Sequence, residues 1–204
     1  AVPSAMLQVK GSGTTSATTS LLVENSAGTD LLKVTDDGRI IINNGNDSLL
    51  LANSTNTGTD NVIIGVGADT ISTNDIRVVL IGHDSAADSY STAVGYTAQS
   101  DSTFSVAYGY AANASSSQSV AIGASAVASS TYGVAVGRSS RSDGGASVGF
   151  EAKAYGSRNI AIGRESGGVG YTGQYNIVIG DQSGGLVSGD RCIVLGKRTS
   201  AITQ

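Results

Sequence analysis

The chain has 204 residues, 28 of them glycine, with one proline, one cysteine and no tryptophan. A single cysteine excludes an internal disulfide framework, no run reaches the ~18 apolar residues of a membrane helix, and large aliphatic and aromatic residues are too few for a thick globular core. The net charge of −4 is unevenly spread: residues 1–137 carry 4 Lys+Arg against 11 acids, whereas residues 138–204 carry 8 against 5, so the last third is basic.

Residues 1–47 read as a separate β module. TSLLVEN (19–25), DLLKV (30–34) and RIIIN (39–43) are predicted strands, and Asp37-Gly38 between apolar runs is a hairpin signal. The N-terminus shows no basic segment followed by an apolar one, so any membrane anchorage is expected from another part of the chain or another protein. Residues 48–60 continue a polar, turn-rich stretch that begins at 44, apart from Leu49–Leu51, and form a connector.

From residue 61 the chain repeats. Glycines at 65, 82, 95, 109, 123, 137, 149, 163, 180 and 196 are preceded by NVIIG, VVLIG, STAVG, SVAYG, SVAIG, GVAVG, GASVG, NIAIG, NIVIG and CIVLG. Each pentapeptide alternates with period two, so the residues one and three before glycine share one face of a strand, as with Val120 and Ile122. Small residues recur three and five positions after glycine, as in Ala98/Ser100, Ala112/Ala114, Ala126/Ala128, Ser140/Ser142 and Ala152/Ala154. This implies a second strand on the far side of a flattened coil. A step near 14 residues is too short for a βα unit of about 30 residues. It fits two short strands and two tight turns, with Gly65, Gly82, Gly95, Gly109, Gly123, Gly137, Gly149, Gly163, Gly180 and Gly196 as structural turn glycines. The expected interior sets the large residues one and three before glycine against the small ones of the second strand. The residue two before glycine, small in the middle coils (Ala93, Ala107, Ala121, Ala135, Ser147, Ala161) and large at the two ends (Ile63, Leu80, Val178, Val194), is expected to point outward, where a symmetry mate would cover it.

SVAIGASAVAS (119–129) and its neighbours resemble the head repeat of YadA-like trimeric autotransporter adhesins. That resemblance implies an all-β chain: a parallel β-roll, or left-handed β-solenoid, of about ten coils (61–204) in a homotrimer. The longer coils NIAIGRESGGVGYTGQYNIVIGDQSGG (159–185) resemble a repeat of bacteriophage tail-fibre proteins, and the 1–47 segment resembles their trimeric shaft or shoulder modules. No coiled-coil stalk or C-terminal membrane anchor of the autotransporter kind is present in the chain.

Sites of chemistry are sparse. His83 is the only histidine, and its equivalents in other coils (Tyr96, Tyr110, Ala124, Arg138, Phe150) share no chemistry, so it reads as a surface repeat position. Without a second histidine no zinc site or Ser-His-Asp triad is credible, and no metal or other cofactor is expected. Cys192 fills a slot held elsewhere by Asn61, Ser91, Ser105, Ser119, Asn159 and Asn176, and reads as a small residue in a small slot. Glu151 and Glu165, each two residues past a repeat glycine, would stack on adjacent coils. A polysaccharide-degrading pair of carboxylates is weighed against a solvated charge ladder, and the ladder is preferred. No enzyme is expected.

Recognition is expected where the repeat is decorated. Arg138, Phe150 and Arg164 share one repeat position, Arg141 and Lys153 another, and Tyr155, Arg158, Tyr171 and Tyr175 lie in the same stretch. Basic and aromatic side chains together suit sugars and anionic polymers. Acidic charge and the lack of a known motif argue against nucleic acid, and membrane insertion is not expected. The function expected is an extracellular trimeric fibre, the distal part of a virion tail fibre. It would recognise a bacterial surface glycan or protein, with other tail components attached through the N-terminal end. A bacterial adhesin head for host or prey cell surfaces is the alternative.

Overall fold

The structure is a computed structural model that describes residues 19–24, 26, 30–35, 40–42, 49–52, 59–72, 74–168, 173–185, 187 and 189–199. The expected Asp37-Gly38 turn and the candidate Tyr171 lie outside the described residues. The chain divides into two compact units, Ala1–Leu49 and Leu50–Gln204.

In the first unit Thr19–Glu24, Asp30–Thr35 and Ile40–Ile42 form an antiparallel sheet in chain order. Val23 pairs with Leu32, and Lys33 pairs with Ile41. All three strands lie on the segments whose apolar runs predicted them.

The second unit is all β and parallel. Ten strands, each leading into one of the ten repeat glycines, run from Val62–Gly65 to Ile193–Leu195. They pair in register, residue for equivalent residue, as in Val106↔Val120 and Tyr108↔Ile122. Nine turns of a β-solenoid therefore separate the first strand from the last. Leu49–Ala52 adds an eleventh strand to this sheet beside Val62–Gly65. Opposite lies a seven-stranded parallel sheet of two-residue strands, from Asp69–Thr70 to Lys153–Ala154.

The stacking is so close that a Cβ would strike the backbone of the next coil at every repeat glycine except Gly196, on the last coil. At Gly82 φ is +142°, and an added Cβ would lie 2.2 Å from the carbonyl oxygen of Gly95 on the next coil. Gly123, at φ +128°, would meet the Gly137 oxygen at 2.6 Å. Beside the glycines runs a feature that the repeat did not announce. The residue two after glycine is left-handed on nearly every coil although it is not glycine: Asp84, Thr97, Ala111, Ser125, Ser139, Glu151, Glu165 and Gln182 have φ between 50° and 56°. Each conformation is unfavourable for an L-residue, and a hydrogen bond compensates. The Thr97, Ala111, Ser125 and Ser139 N–H groups donate to the carbonyls of His83, Tyr96, Tyr110 and Ala124, one coil earlier, at 2.8–2.9 Å. These bonds hold the column of residues just after glycine in strict register.

The interior corrects the sequence-based expectation. Ala93, Ala107, Ala121, Ala135, Ser147 and Ala161, expected to face outward together with Ile63, Leu80, Val178 and Val194, are wholly buried, and so are those four apart from a small exposed part of Val194. The small residues of this set face Ala98, Ser100, Ala112, Ala114, Ala126, Ala128, Ser140, Ser142, Ala152 and Ala154, which are buried as expected. The large residues one and three before glycine lie on the outer face, partly exposed. A coil of about 14 residues brings its two strands so close that only alanine and serine fit between them. Where coils lengthen to 16 or 17 residues the interior widens, and larger residues fill the same position: Ile63, Leu80, Val178 and Val194.

The slot four before glycine also proves more than a space for small residues. Three of the four coils with a 14-residue step carry serine there (Ser91, Ser105 and Ser119, with Gly145 in the fourth): Ser91 Oγ donates to Ser102 O at 2.8 Å and accepts from Ser105 N–H at 3.0 Å. Before the lengthened steps the residue is asparagine. Asn159 Nδ2 donates to Gly173 O at 2.6 Å and to Tyr155 O, while its Oδ1 accepts from Asn176 N–H at 2.8 Å. Asn176 in turn bridges to Gly189 O and Cys192 N–H, and Asn61 to Asp75 O and Val78 N–H. The longer amide spans the wider gap and satisfies buried backbone groups that would otherwise lack partners. Cys192 itself, on the last coil, is a free thiol and half-exposed.

Candidate functional site

Two columns of side chains mark the two turn edges of the long-strand sheet. In the column just after glycine Val66 is followed by stacked rings: His83 lies on Tyr96 (centroids 5.3 Å, 16°) and Tyr96 on Tyr110 (5.6 Å, 6°). Ala124 follows, then Arg138, whose guanidinium carbon sits 4.2 Å from the centroid of Phe150. Next come Arg164, Asp181 and Lys197. The other column, five before glycine, stacks Tyr90 on Phe104 at 5.1 Å, with Arg77 over Tyr90. Further along, Tyr175 stands between Arg158 and Arg191, whose guanidinium carbons are 5.1 and 5.6 Å from its ring centroid. Arg158 Nη1 also donates to the Tyr175 hydroxyl. His83, read from sequence as an isolated surface residue, is thus the first member of an aromatic stack. The signal was present in the sequence, as aromatics 13 and 14 residues apart in one repeat column.

The predicted recognition residues fall into distinct environments. Arg138 and Phe150 stack on one another on adjacent coils of one edge. Arg164, in the same column, is held by Asp181 and Glu165, each at 2.8 Å. Arg141 and Lys153 pair in register on the outer face of the short-strand sheet, and Arg141 is held by Asp143 at 3.0 Å. Tyr155 is partly buried against Val178, Val187 and Val194. Arg158 and Tyr175 belong to the opposite edge. The eight candidates among the described residues therefore do not form one patch.

Glu151 and Glu165 occupy equivalent left-handed positions on successive coils. Glu165 accepts from Gln182 Nε2 at 2.9 Å, and Gln182 Oε1 accepts from Arg198 Nε at 2.9 Å. Among the described residues no three histidine, cysteine or acidic side chains converge on a metal-sized site.

The second conspicuous surface is the outer face of the long-strand sheet. Residues one and three before glycine line it in two unbroken rows: Ile64, Ile81, Val94, Tyr108, Ile122, Val136, Val148, Ile162, Ile179 and Leu195, beside Val62, Val79, Thr92, Val106, Val120, Val134, Ala146, Ile160, Ile177 and Ile193. Exposure in the single chain is 39% at Ile122 and 68% at Ile193. At about 4.8 Å per strand the rows are roughly 43 Å long. Apart from Thr92 the two rows are apolar along their whole length.

The second unit is thus a parallel β-solenoid with an alanine–serine interior through its middle coils and an open apolar sheet face. The YadA head domain repeat matches the chain in two copies, at residues 89–112 and 114–140. That match supports a YadA-like trimeric adhesin head. No curated protein and no solved structure matches the chain. Among the described residues no helix is long and apolar enough to cross a membrane.

Proposed function

We propose that this chain is one subunit of a homotrimeric adhesive fibre that works outside the cell, and that it recognises a cell-surface glycan or protein rather than catalysing a reaction. The observation that carries this reading is the pair of apolar rows on the long-strand sheet, whose middle part (89–112 and 114–140) matches the YadA head repeat. A single chain leaves those rows open to water. Three chains around an axis cover each other's rows, and a contact made on one coil can be repeated on every coil along the axis. The turn edges then remain available for recognition.

In its finer form the proposal makes the chain the distal part of a bacteriophage tail fibre, joined to other tail components through its N-terminal end and directed at a bacterial surface receptor. The long coils at 159–185 favour this form. The head-repeat match favours a second reading, the head of a bacterial adhesin directed at host or prey cells. Binding of fluorescent fibre to panels of bacterial and animal cells separates the two. In either case charge reversal at Arg138, Arg141 and Lys153 together is expected to reduce cell binding at least tenfold. Unchanged binding by this triple variant would place recognition elsewhere on the fibre.

A further inference from the structure

We propose that the missing rung at Ala124 is a binding slot for one carboxylated pyranose ring of an acidic bacterial surface polysaccharide, held between the ring face of Tyr110 and the guanidinium of Arg138. The inference rests on the adhesive reading above and names the ligand class for that reading. The column just after glycine carries a side chain beyond Cβ on every coil except this one: Val66, His83, Tyr96, Tyr110, Ala124, Arg138, Phe150, Arg164, Asp181, Lys197. Tyr96 covers one face of Tyr110. The rung that would cover the other face ends at a methyl group. Tyr110 accordingly keeps 59% of its surface exposed. Beyond the gap, Arg138 is steadied by Phe150.

The dimensions select the ligand. Two inter-strand steps separate Tyr110 from Arg138, roughly 9.6 Å at ~4.8 Å per step. A flat ring in contact at about 3.5–4.0 Å on each side needs only roughly 7–8 Å. The additional thickness suits a puckered, saturated ring, whose axial C–H groups face the electron-rich phenol. Charge selects further. Arg77, Arg141, Arg164 and Lys197 each have a carboxylate within 4.0 Å. Arg138 has none among the described residues, so its paired N–H donors remain available for a ligand carboxylate. Ser125 and Ser139, partly or fully exposed on the coils of Ala124 and Arg138, add hydroxyls beside the slot. On the opposite edge the same coil also interrupts its aromatic column, between Phe104 and Tyr132, but there Gln118 supplies a long side chain.

The test titrates the full chain with hexamers of galacturonate, mannuronate and guluronate, and with a neutral glucose hexamer, by calorimetry and ligand-observed NMR. At least one acidic hexamer is expected to bind ten times more tightly than the neutral one. Ala124→Tyr fills the rung with a residue that Tyr96 and Tyr110 already show the fold accepts, and is expected to lower that affinity at least tenfold. Arg138→Gln and Tyr110→Ala should each cost about fivefold or more, while Lys197→Gln, on the last coil and paired with Asp181, stays within twofold. Unaltered binding by Ala124→Tyr overturns the slot, as does a wild-type chain that does not prefer the acidic hexamers. Cell binding by the same preparation separates the two proposals. A fibre that binds cells but no acidic hexamer loses the slot and keeps its adhesive role, whereas a fibre that binds neither loses both.

Discussion

Replacing Ile122 by glutamate places a charge in the middle of the apolar face without touching the interior. Ile122 is 39% exposed in the single chain, which leaves on the order of 70 Å² to be covered, or about 1.8 kcal/mol per subunit at ~25 cal/mol per Å². In a trimer closed over these rows, three glutamates would also lose solvation near one another, at several kcal/mol each. Together the losses exceed about 10 kcal/mol per trimer, enough to dissociate it at low micromolar concentration. Light scattering coupled to size exclusion should report a monomer, and the far-UV dichroism should remain that of a β protein. Ala121→Glu is the companion experiment: its site is wholly buried in a space lined by alanine and serine, so the roll itself should fail to form. The reasoning is refuted if Ile122→Glu remains trimeric with wild-type stability. It is equally refuted if the two variants exchange outcomes, because the interior would then lie on the other face of the strand.

Asn159→Ala strands Gly173 O, Tyr155 O and the Asn176 N–H inside the roll. At about 1–3 kcal/mol per orphaned group, thermal unfolding should begin at least ~6 °C lower, with about 2–4 °C expected per kcal/mol in a chain of this size. Gly123→Ala sets a Cβ 2.6 Å from the Gly137 oxygen at a φ of +128°. Loss of more than about 3 kcal/mol is expected, seen as aggregation or as protease cleavage near residue 123. Incubating wild-type fibre with candidate polysaccharides should release no reducing sugar. Release that vanishes in Glu151→Gln or Glu165→Gln would overturn the non-catalytic proposal.

Much of this protein is legible along the chain. The glycine ladder, the paired small residues after it and the period-two apolar strands identify a stacked β coil, because each reports a local constraint: a Cβ that cannot fit, or a side chain that alternates across a strand. The bridging residues are legible in part, since asparagine replaces serine just where a coil lengthens. Alternation, however, carries only parity. Whether Ala121 or Ile122 faces inward depends on how far apart the two strands of a coil stand. That distance is set by turns whose left-handed residues (Thr97, Ala111, Ser125, Glu151) have no common side chain to announce them. The same turns align the column of His83, Tyr96 and Tyr110 into a stack and leave the gap at Ala124. Spacing along the sequence thus determined that this chain coils. Only the tertiary structure, through the backbone of its turns, decided which face became the core and which became the surface.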